Sequence, residues 1–269
     1  MPKLCCPKCK EVLWDVGNSL RCQNGHSYDR ARQGYVNLLM SNAPSSKRHG
    51  DDREMVLSRK SFLEKGYYEP LLQLICDKCV KYGSPNAHIL DAGCGEGWYT
   101  ASVKASLPQS SVVGVDISKE AIIEAAKRRA GLELAVASVS SLPVQDNSCD
   151  IVLSIFAPDA VSEFRRVMRS GGYLIRAVPM EEHLLGLKKA VYDEPYLNPP
   201  ARYDPEGFTL AERAELRYAL SLTSNEDISE LFRMTPYYYK TGREDQAKLL
   251  SLETLETEAA FCVFVLKKV

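Results

Sequence analysis

Four residues have the types and spacing of a metal site: Cys6, Cys9, Cys22 and His26, in the pattern C-x2-C-x12-C-x3-H. Thiolates and an imidazole suit a borderline-soft tetrahedral ion such as zinc, and two short-spaced pairs on separate turns can close around it. With four protein ligands no position remains for water, so the pattern is that of a structural site. A module of about 35 residues buries little core, so metal binding would supply its folding free energy. Cys5 competes with Cys6, but Cys6 has the two-residue spacing to Cys9. Cys76 and Cys79 repeat that spacing within a helical apolar period and lack a second pair nearby, so they read as core packing. Cys94 reads as lining a glycine turn, and Cys149 and Cys262 as core residues.

A second constellation is Asp91-x-Gly93-x-Gly95-x-Gly97. Its spacing is neither the G-x-G-x-x-G of a dinucleotide fold nor a phosphate loop, since no Lys-Ser/Thr follows. Glycines at alternate positions let backbone approach a ligand with no side chain between. Asp116, 23 positions after Gly93, stands where an acidic residue would bind ribose hydroxyls at the end of the next strand.

The elements that must position these residues follow from periodicity. Residues 1–35 are dense in Cys, Gly and turn formers, and 41–52 read as an exposed linker. Apolar residues at helical spacing over 53–82, interrupted at Gly66 and Pro70, give two helices. Strands are expected at 88–91, 112–116, 133–137, 150–155 and 173–178, with helices at 98–107, 118–130 and 159–168. Strands separated by such helices mean a parallel, doubly wound α/β sheet. After Pro179 the order blurs, until 259–266 reads as a strand, antiparallel at one side of the same sheet.

At 269 residues, 45% apolar and 26% charged, the composition is that of a globular protein. No apolar run reaches the ~20 residues of a membrane helix, and the start lacks an apolar signal core. Nine cysteines then read as thiols or metal ligands in a reducing, cytoplasmic compartment. The net charge of −1 divides into +5 over residues 1–50 and −6 over the rest. A basic module on an acidic body points to an anionic partner, nucleic acid first.

The glycine turn, Asp116 and the string Leu142-Pro143-x-x-Asp146-x-Ser148-x-Asp150 together resemble the class I S-adenosylmethionine-dependent methyltransferases over about 85–180. That resemblance implies a Rossmann-like sheet, with Gly93, Gly95 and Gly97 at the amino-acid end of the cofactor, Asp116 on its ribose and Asp91 among the cofactor-binding residues. It sets Ser138 and Val139 beside the adenine. Further strings narrow the family: Gly34-Tyr35-Val36-Asn37-Leu38-Leu39, Phe62-Leu63-x-x-Gly66-x-Tyr68-x-Pro70-Leu71, His183-Leu184-x-x-Leu187-Lys188, Glu206-Gly207-Phe208-Thr209 and Met234-Thr235-Pro236. With the cysteine cluster they resemble the 23S rRNA (guanine-N1)-methyltransferases over nearly the whole chain.

This resemblance implies methylation of a guanine N1 in a domain II hairpin loop, at position 745 or 748, by a dimeric enzyme whose zinc module engages RNA. It carries the zinc ligands onto Cys6, Cys9, Cys22 and His26, and the cofactor contacts onto Tyr68, residues 95–98 including Trp98, and His183. The implied division is 1–40 as zinc-binding RNA-recognition module, 41–84 as linker and connecting helices, and 85–269 as methyltransferase domain. In nitrogen methyltransferases the turn after the fourth strand, here 154–159, holds the target base. Phe156 would stack on it, the Ala157 carbonyl would orient N1, and Asp159 would be either the base or a helix cap. Trp98, Tyr99 and Tyr237 to Tyr239 are further stacking candidates, and Arg30, Arg32, Lys47 and Arg48 candidate phosphate contacts. The alternatives are a methyltransferase acting on another RNA or a small molecule, its zinc module serving docking or dimerisation, and a non-catalytic RNA adaptor.

Overall fold

Three short antiparallel strands open the chain, β1 (Trp14–Val16), β2 (Ser19–Arg21) and β3 (Ser27–Asp29), with Gly17 at φ +62° in the tight turn joining the first two. The computed structural model describes residues 3–40 and 50–269. Lys47, Arg48 and most of the linker read at 41–52 lie outside the described residues. Strand β4 (Val36–Asn37) follows, then helices α1 (Arg53–Glu64) and α2 (Glu69–Tyr82). The Asp52 carboxylate caps α1 by accepting from Met55 N at 3.0 Å, and Pro70 sits in the first turn of α2.

The doubly wound unit then runs β5 (His88–Ala92), α3 (Trp98–Ser106), β6 (Ser111–Asp116), α4 (Lys119–Lys127), β7 (Glu133–Val136), β8 (Cys149–Ile155), α5 (Val161–Val167) and β9 (Met168–Pro179). Ser118 caps α4, accepting from Ala121 N at 3.2 Å. After α6 (Leu185–Val191) come β10 (Phe208–Leu222), α7 (Asn225–Arg233), a short α8 (Arg243–Ala247) and β11 (Leu255–Lys268). The eight-stranded sheet has the order β10-β11-β9-β8-β5-β6-β7-β4. Strand β11 is antiparallel to both neighbours, as expected for the tail, and every other pairing is parallel.

Both faces of the sheet are covered. Along β11, Phe261, Val263 and Val265 enter one apolar layer with Phe62, Leu71, Ile75 and Ile151, while Ala260, Cys262 and Phe264 enter the other with Phe164, Val167 and Leu174. That alternation is the two-residue period of a strand. Cys76 and Cys79 of α2 are buried in the first layer, which bears out their reading as core.

Three elements depart from expectation. Strand β10 occupies 15 residues of the stretch with no clear order. Its run Thr209 to Leu222 is rich in Ala, Glu, Arg and Leu, all good helix formers, and ladder pairing with β11 overrides that local preference. Strand β4 was read as part of the small N-terminal module, yet it pairs with β7 through Val36 and Asn37. Helix α5 begins at Val161, not at residue 159, and its cap position is Ala160 with no side-chain cap. The cap role for Asp159 is therefore corrected.

Candidate functional site

The metal-ligating types meet where two turns face each other. Cys6 and Cys9 bracket a turn closed by Lys10 N donating to Cys6 O, and Cys22 and His26 bracket one closed by Gly25 N donating to Cys22 O. One ligand atom from each of the four residues lies within 4.8 Å of the others. Cys9 Sγ and Cys22 Sγ are 3.6 Å apart, and His26 Nδ1 is 3.5 Å from Cys6 Sγ and 3.4 Å from Cys22 Sγ. Tetrahedral bonds of ~2.3 Å to sulfur and ~2.05 Å to nitrogen give edges of about 3.8 and 3.6 Å, so the cradle has the size of a zinc site. Tyr28 Oη, 3.1 Å from Cys6 Sγ, is placed to donate to that thiolate from the outer shell. The Asn24 side chain and then the Glu11 backbone hold the Cys9 thiol down to about 6. Cys5 turns away, its Sγ 3.8 Å from Lys3 O, which settles its competition with Cys6. The knuckle is docked on the loop before β8: Cys5 N donates to Pro143 O at 2.8 Å, and Leu4 bridges Val144.

The glycine turn sits at the carboxyl ends of β5 and β6, beside the point where the chain reverses direction across the sheet, between β5 and β8. Such crevices are where open α/β sheets bind ligands. Gly93, Gly95 and Gly97 all have positive φ, at +94°, +55° and +79°. Their reasons for being glycine differ. A Cβ on Gly93 would fall 2.5 Å from Ala157 Cβ, and one on Gly97 2.9 Å from Ala125 Cβ on α4. At Gly95 the nearest atom is Arg59 Nη1 at 3.9 Å, so this glycine alone of the three opens onto free space that a side chain would fill.

Two buried carboxylates flank the turn. Asp116 accepts from Gly95 N at 2.9 Å and Ser118 N at 2.8 Å, one bond per oxygen, leaving lone pairs for hydroxyl donors. Burial raises its pKa. Asp91 accepts from Thr100 Oγ1 at 2.6 Å through Oδ2, while its buried Oδ1 has no partner among the described residues. Burial pushes Asp91 up to about 7. Open space at Gly95, an acceptor pair at Asp116 and an orphaned acceptor at Asp91 fit an adenosine carrying an amino-acid tail.

Tyr68 and His183, far apart in sequence, meet with Oη 3.5 Å from Nε2. Ala260 N donates to His183 Nδ1 at 3.2 Å, so the neutral ring carries its proton on Nε2 and donates it to Tyr68 Oη. The Tyr68 hydroxyl hydrogen is then free to point elsewhere. Burial first, and the Lys188 charge second, push His183 down to about 3. It is therefore a fixed neutral group and not a switch near neutrality. Both residues pack on Phe261, with ring centroids at 5.0 Å (Tyr68) and 4.7 Å (His183), and Phe156 reaches the same ring at 5.5 Å. Trp98 opens α3, buried against Tyr99 at 5.0 Å.

Phe156 directly follows β8 at φ +53° and is 44% exposed, the left-handed backbone turning its ring outward. Asp159 accepts from Tyr203 Oη at 2.8 Å and lies 3.7 Å from Arg176 Nη1. Gly93 against Ala157, Phe156 against Phe261, and Phe261 against Tyr68 and His183 join the glycine turn, Phe156, Tyr68 and His183 into one site. Tyr203, Arg176 and Arg59 were not singled out from the sequence. A charged residue inside the apolar run Leu174-Ile175-Arg176-Ala177-Val178 was the available signal for Arg176.

Other candidates are sorted by burial. Trp98, Tyr99 and Tyr237 are buried, whereas Tyr239 is exposed and donates to Asp52 at 2.6 Å. Arg30 lies 2.9 Å from both Asp15 and Glu133, so it staples β3 to β7 and is corrected from a phosphate contact to an internal ion pair. Arg32 instead lines a groove with Gln33, Lys127 and Arg129, between the knuckle and the end of α4.

Comparison with known proteins matches residues 4–47 to the zinc-ribbon family described as RlmA, N-terminal, and residues 90–176 to the methyltransferase domain family. A Streptomyces fradiae 23S rRNA (guanine(748)-N(1))-methyltransferase is 35% identical over 190 residues, 69% of this chain and 66% of its own. YxjB of Bacillus subtilis, assigned as a 23S rRNA (guanine-N(1)-)-methyltransferase, is 32% identical over 271 residues, 93% of this chain and 92% of its own. Among solved structures, a methyltransferase-type protein of Bacillus halodurans superposes with a TM-score of 0.50 at 15% identity, over 73% of this chain and 98% of that one.

Proposed function

This chain belongs to the 23S rRNA (guanine-N1)-methyltransferase family, and from that premise we propose that it transfers a methyl group from S-adenosylmethionine to N1 of a guanine in the domain II hairpin loop of 23S rRNA, at the 745 or 748 position. The observation that carries the reading is the contact of Gly93 with Ala157, which sets a cofactor cradle directly against the half-exposed ring of Phe156.

Bound S-adenosylmethionine supplies an electrophilic methyl on sulfur. The residues of this chain do the rest. Asp116 would take the ribose hydroxyls, the orphaned Asp91 Oδ1 would accept from the ammonium end, and Gly95 would leave room for that end. Tyr68, held by the neutral His183, Gly93, Gly97 and Trp98 complete the wall. Phe156 stacks on the guanine. N1 carries a proton, and with a nucleobase pKa of about 9 its ionisation at neutral pH costs roughly 3 kcal/mol. Asp159 is the carboxylate placed to receive it. N1 would give up its proton to Asp159 as it takes the methyl carbon, the C–S bonding pair remaining with the departing sulfide.

Zinc held by Cys6, Cys9, Cys22 and His26 is structural. Residues 1–40 then act as the RNA-recognition module, 41–84 as connecting segment and 85–269 as methyltransferase domain. The exposed cations Arg32 and Arg129 support a backbone-phosphate contact beside the knuckle. Among the described residues no helix is long and apolar enough to cross a membrane. An rRNA substrate accords with a cytoplasmic enzyme, and homodimerisation is part of the same reading, testable by sedimentation.

The test is transfer of labelled methyl to unmodified 23S rRNA followed by mapping of the reverse-transcription stop, because N1-methylguanine blocks Watson–Crick pairing. A stop in the domain II hairpin loop supports the reading and chooses the position. Label elsewhere, or none with cofactor bound, refutes it.

A further inference from the structure

Arg176 is buried to 9% exposure, yet its guanidinium is poorly satisfied. Nη1 donates to Ser154 Oγ at 2.8 Å, Nε is buried with no partner among the described residues, and the Tyr203 ring covers one face at 4.6 Å. A fork of five donors with one hydrogen bond is a costly arrangement unless an acceptor arrives. Its position is equally specific. Arg176 pairs with Ser154 across β8 and β9, two residues before Phe156, at the end of the sheet that carries the site. Asp159 Oδ1 stands 3.7 Å from Nη1, beyond hydrogen-bond distance. Tyr203 Oη holds Oδ1 and, with burial raising its own pKa, remains a donor, while Oδ2 is free among the described residues.

A donor and an acceptor side by side complement one base edge: the O6 acceptor and N1–H donor of guanine. Adenine presents a donor at the sixth position and would face Arg176 with the wrong polarity. We propose that Arg176 and Asp159 read the O6 and N1–H edge of the target guanine, Arg176 donating to O6 while Asp159 takes the N1 proton. As the N1–H bond breaks, the proton passes to Asp159 and the bonding pair stays on N1, delocalised onto O6 beside the guanidinium. That pair then forms the bond to the methyl carbon, and Asp159 later returns its proton to water. This inference rests on the rRNA guanine-N1 reading.

The test is single-turnover methylation of a 23S rRNA hairpin transcript between about pH 6 and 9.5. Arg176→Gln and Asp159→Asn should each slow transfer ~100-fold or more at pH 7, the scale of general acid–base catalysis. The deficit should shrink to below ~10-fold at the alkaline end, where solvent ionises N1, while cofactor affinity stays unchanged. Arg176→Lys should recover part of the rate. Rates within ~3-fold of wild type at pH 7, or a deficit equal at every pH, overturn the pair. If Arg176→Gln fails to fold, Asp159→Asn on its half-exposed side chain decides by the same criterion. Absence of transfer by the wild-type protein to any RNA guanine overturns the underlying reading, whereas transfer with unaffected variants overturns only the pair.

Discussion

The backbone N–H of Ala260 on β11 donates to Nδ1 of His183 at 3.2 Å, fixing the imidazole as the tautomer that donates from Nε2 to Tyr68. One strand amide thus orders a ring that in turn orders a hydroxyl at the wall proposed for the cofactor. Tyr68→Phe, which removes only that hydroxyl, should weaken S-adenosylmethionine binding about 3- to 10-fold, the range of one neutral hydrogen bond. Titration calorimetry checks this, and an unchanged affinity would place Tyr68 outside the contact.

His183 also sets a pH dependence. Its folded pKa is depressed to about 3, so between there and the ordinary value near 6.5 the unfolded chain binds the extra proton. Stability contributed by the neutral ring is full above pH 6.5 and falls on acidification. From pH 7 to 5 the loss is ~2 kcal/mol, at 1.36 kcal/mol per unit. Asp91 works in the opposite sense: raised to about 7, it holds a proton when folded and favours the folded state as pH falls. The readout is therefore the difference in urea stability between wild type and His183→Asn at the two pH values. Parallel pH slopes would refute the assignment.

The three glycines of the turn should respond differently to substitution. Gly95→Arg fills open space and should abolish cofactor binding while the protein stays folded. Gly93→Ala and Gly97→Ala drive a Cβ into Ala157 and Ala125 from a left-handed backbone. Each should cost ~2 kcal/mol or more of stability. Thermal unfolding with and without cofactor separates the two outcomes, and retained cofactor affinity in Gly95→Arg would overturn the cradle.

Metal content should be one zinc per chain, lost in Cys9→Ser and kept in Cys5→Ser, since Cys5 points to Lys3 O. Elemental analysis after dialysis measures it. Equal zinc in both variants would refute the ligand set.

Arg30 and Arg32 lie two residues apart and should part ways. Arg30 pairs with Glu133, whose side chain is 17% exposed, at a distance within an ion pair but outside hydrogen-bond geometry. Arg30→Ala should cost ~1–3 kcal/mol of stability by leaving that carboxylate unpaired. Its effect on RNA affinity should be slight. Arg32→Ala should leave stability unchanged and shallow the salt dependence of RNA binding by about one unit of slope. Interchanged results would reverse the two roles.

The metal ligands, the glycine turn, Asp116 and strands β5 to β9 could be read from the chain because local chemistry or periodicity states each of them. Cys6 could be told from Cys5 by spacing alone. Strand β10 could not be found, because its helix-forming composition says one thing and its ladder with β11 enforces another. Nor could the Arg176–Asp159 neighbourhood, since it depends on the register of β8 against β9 and on Tyr203 folding back from a distant loop. The His183 tautomer has the same origin, a β11 amide 77 positions away.

Strand β4 puts the backbone just after the zinc knuckle into the same hydrogen-bonded lattice that ends at Phe156. The knuckle and the proposed methylation site are therefore joined by a stiff beam and not by a tether. The span between them is a built-in length set by the ladder β4-β7-β6-β5-β8, like the fixed jaws of a calliper. On the proposed reading, in which the knuckle grips RNA, a hairpin whose grip point and loop guanine differ from that span would be turned away by geometry before any base is read.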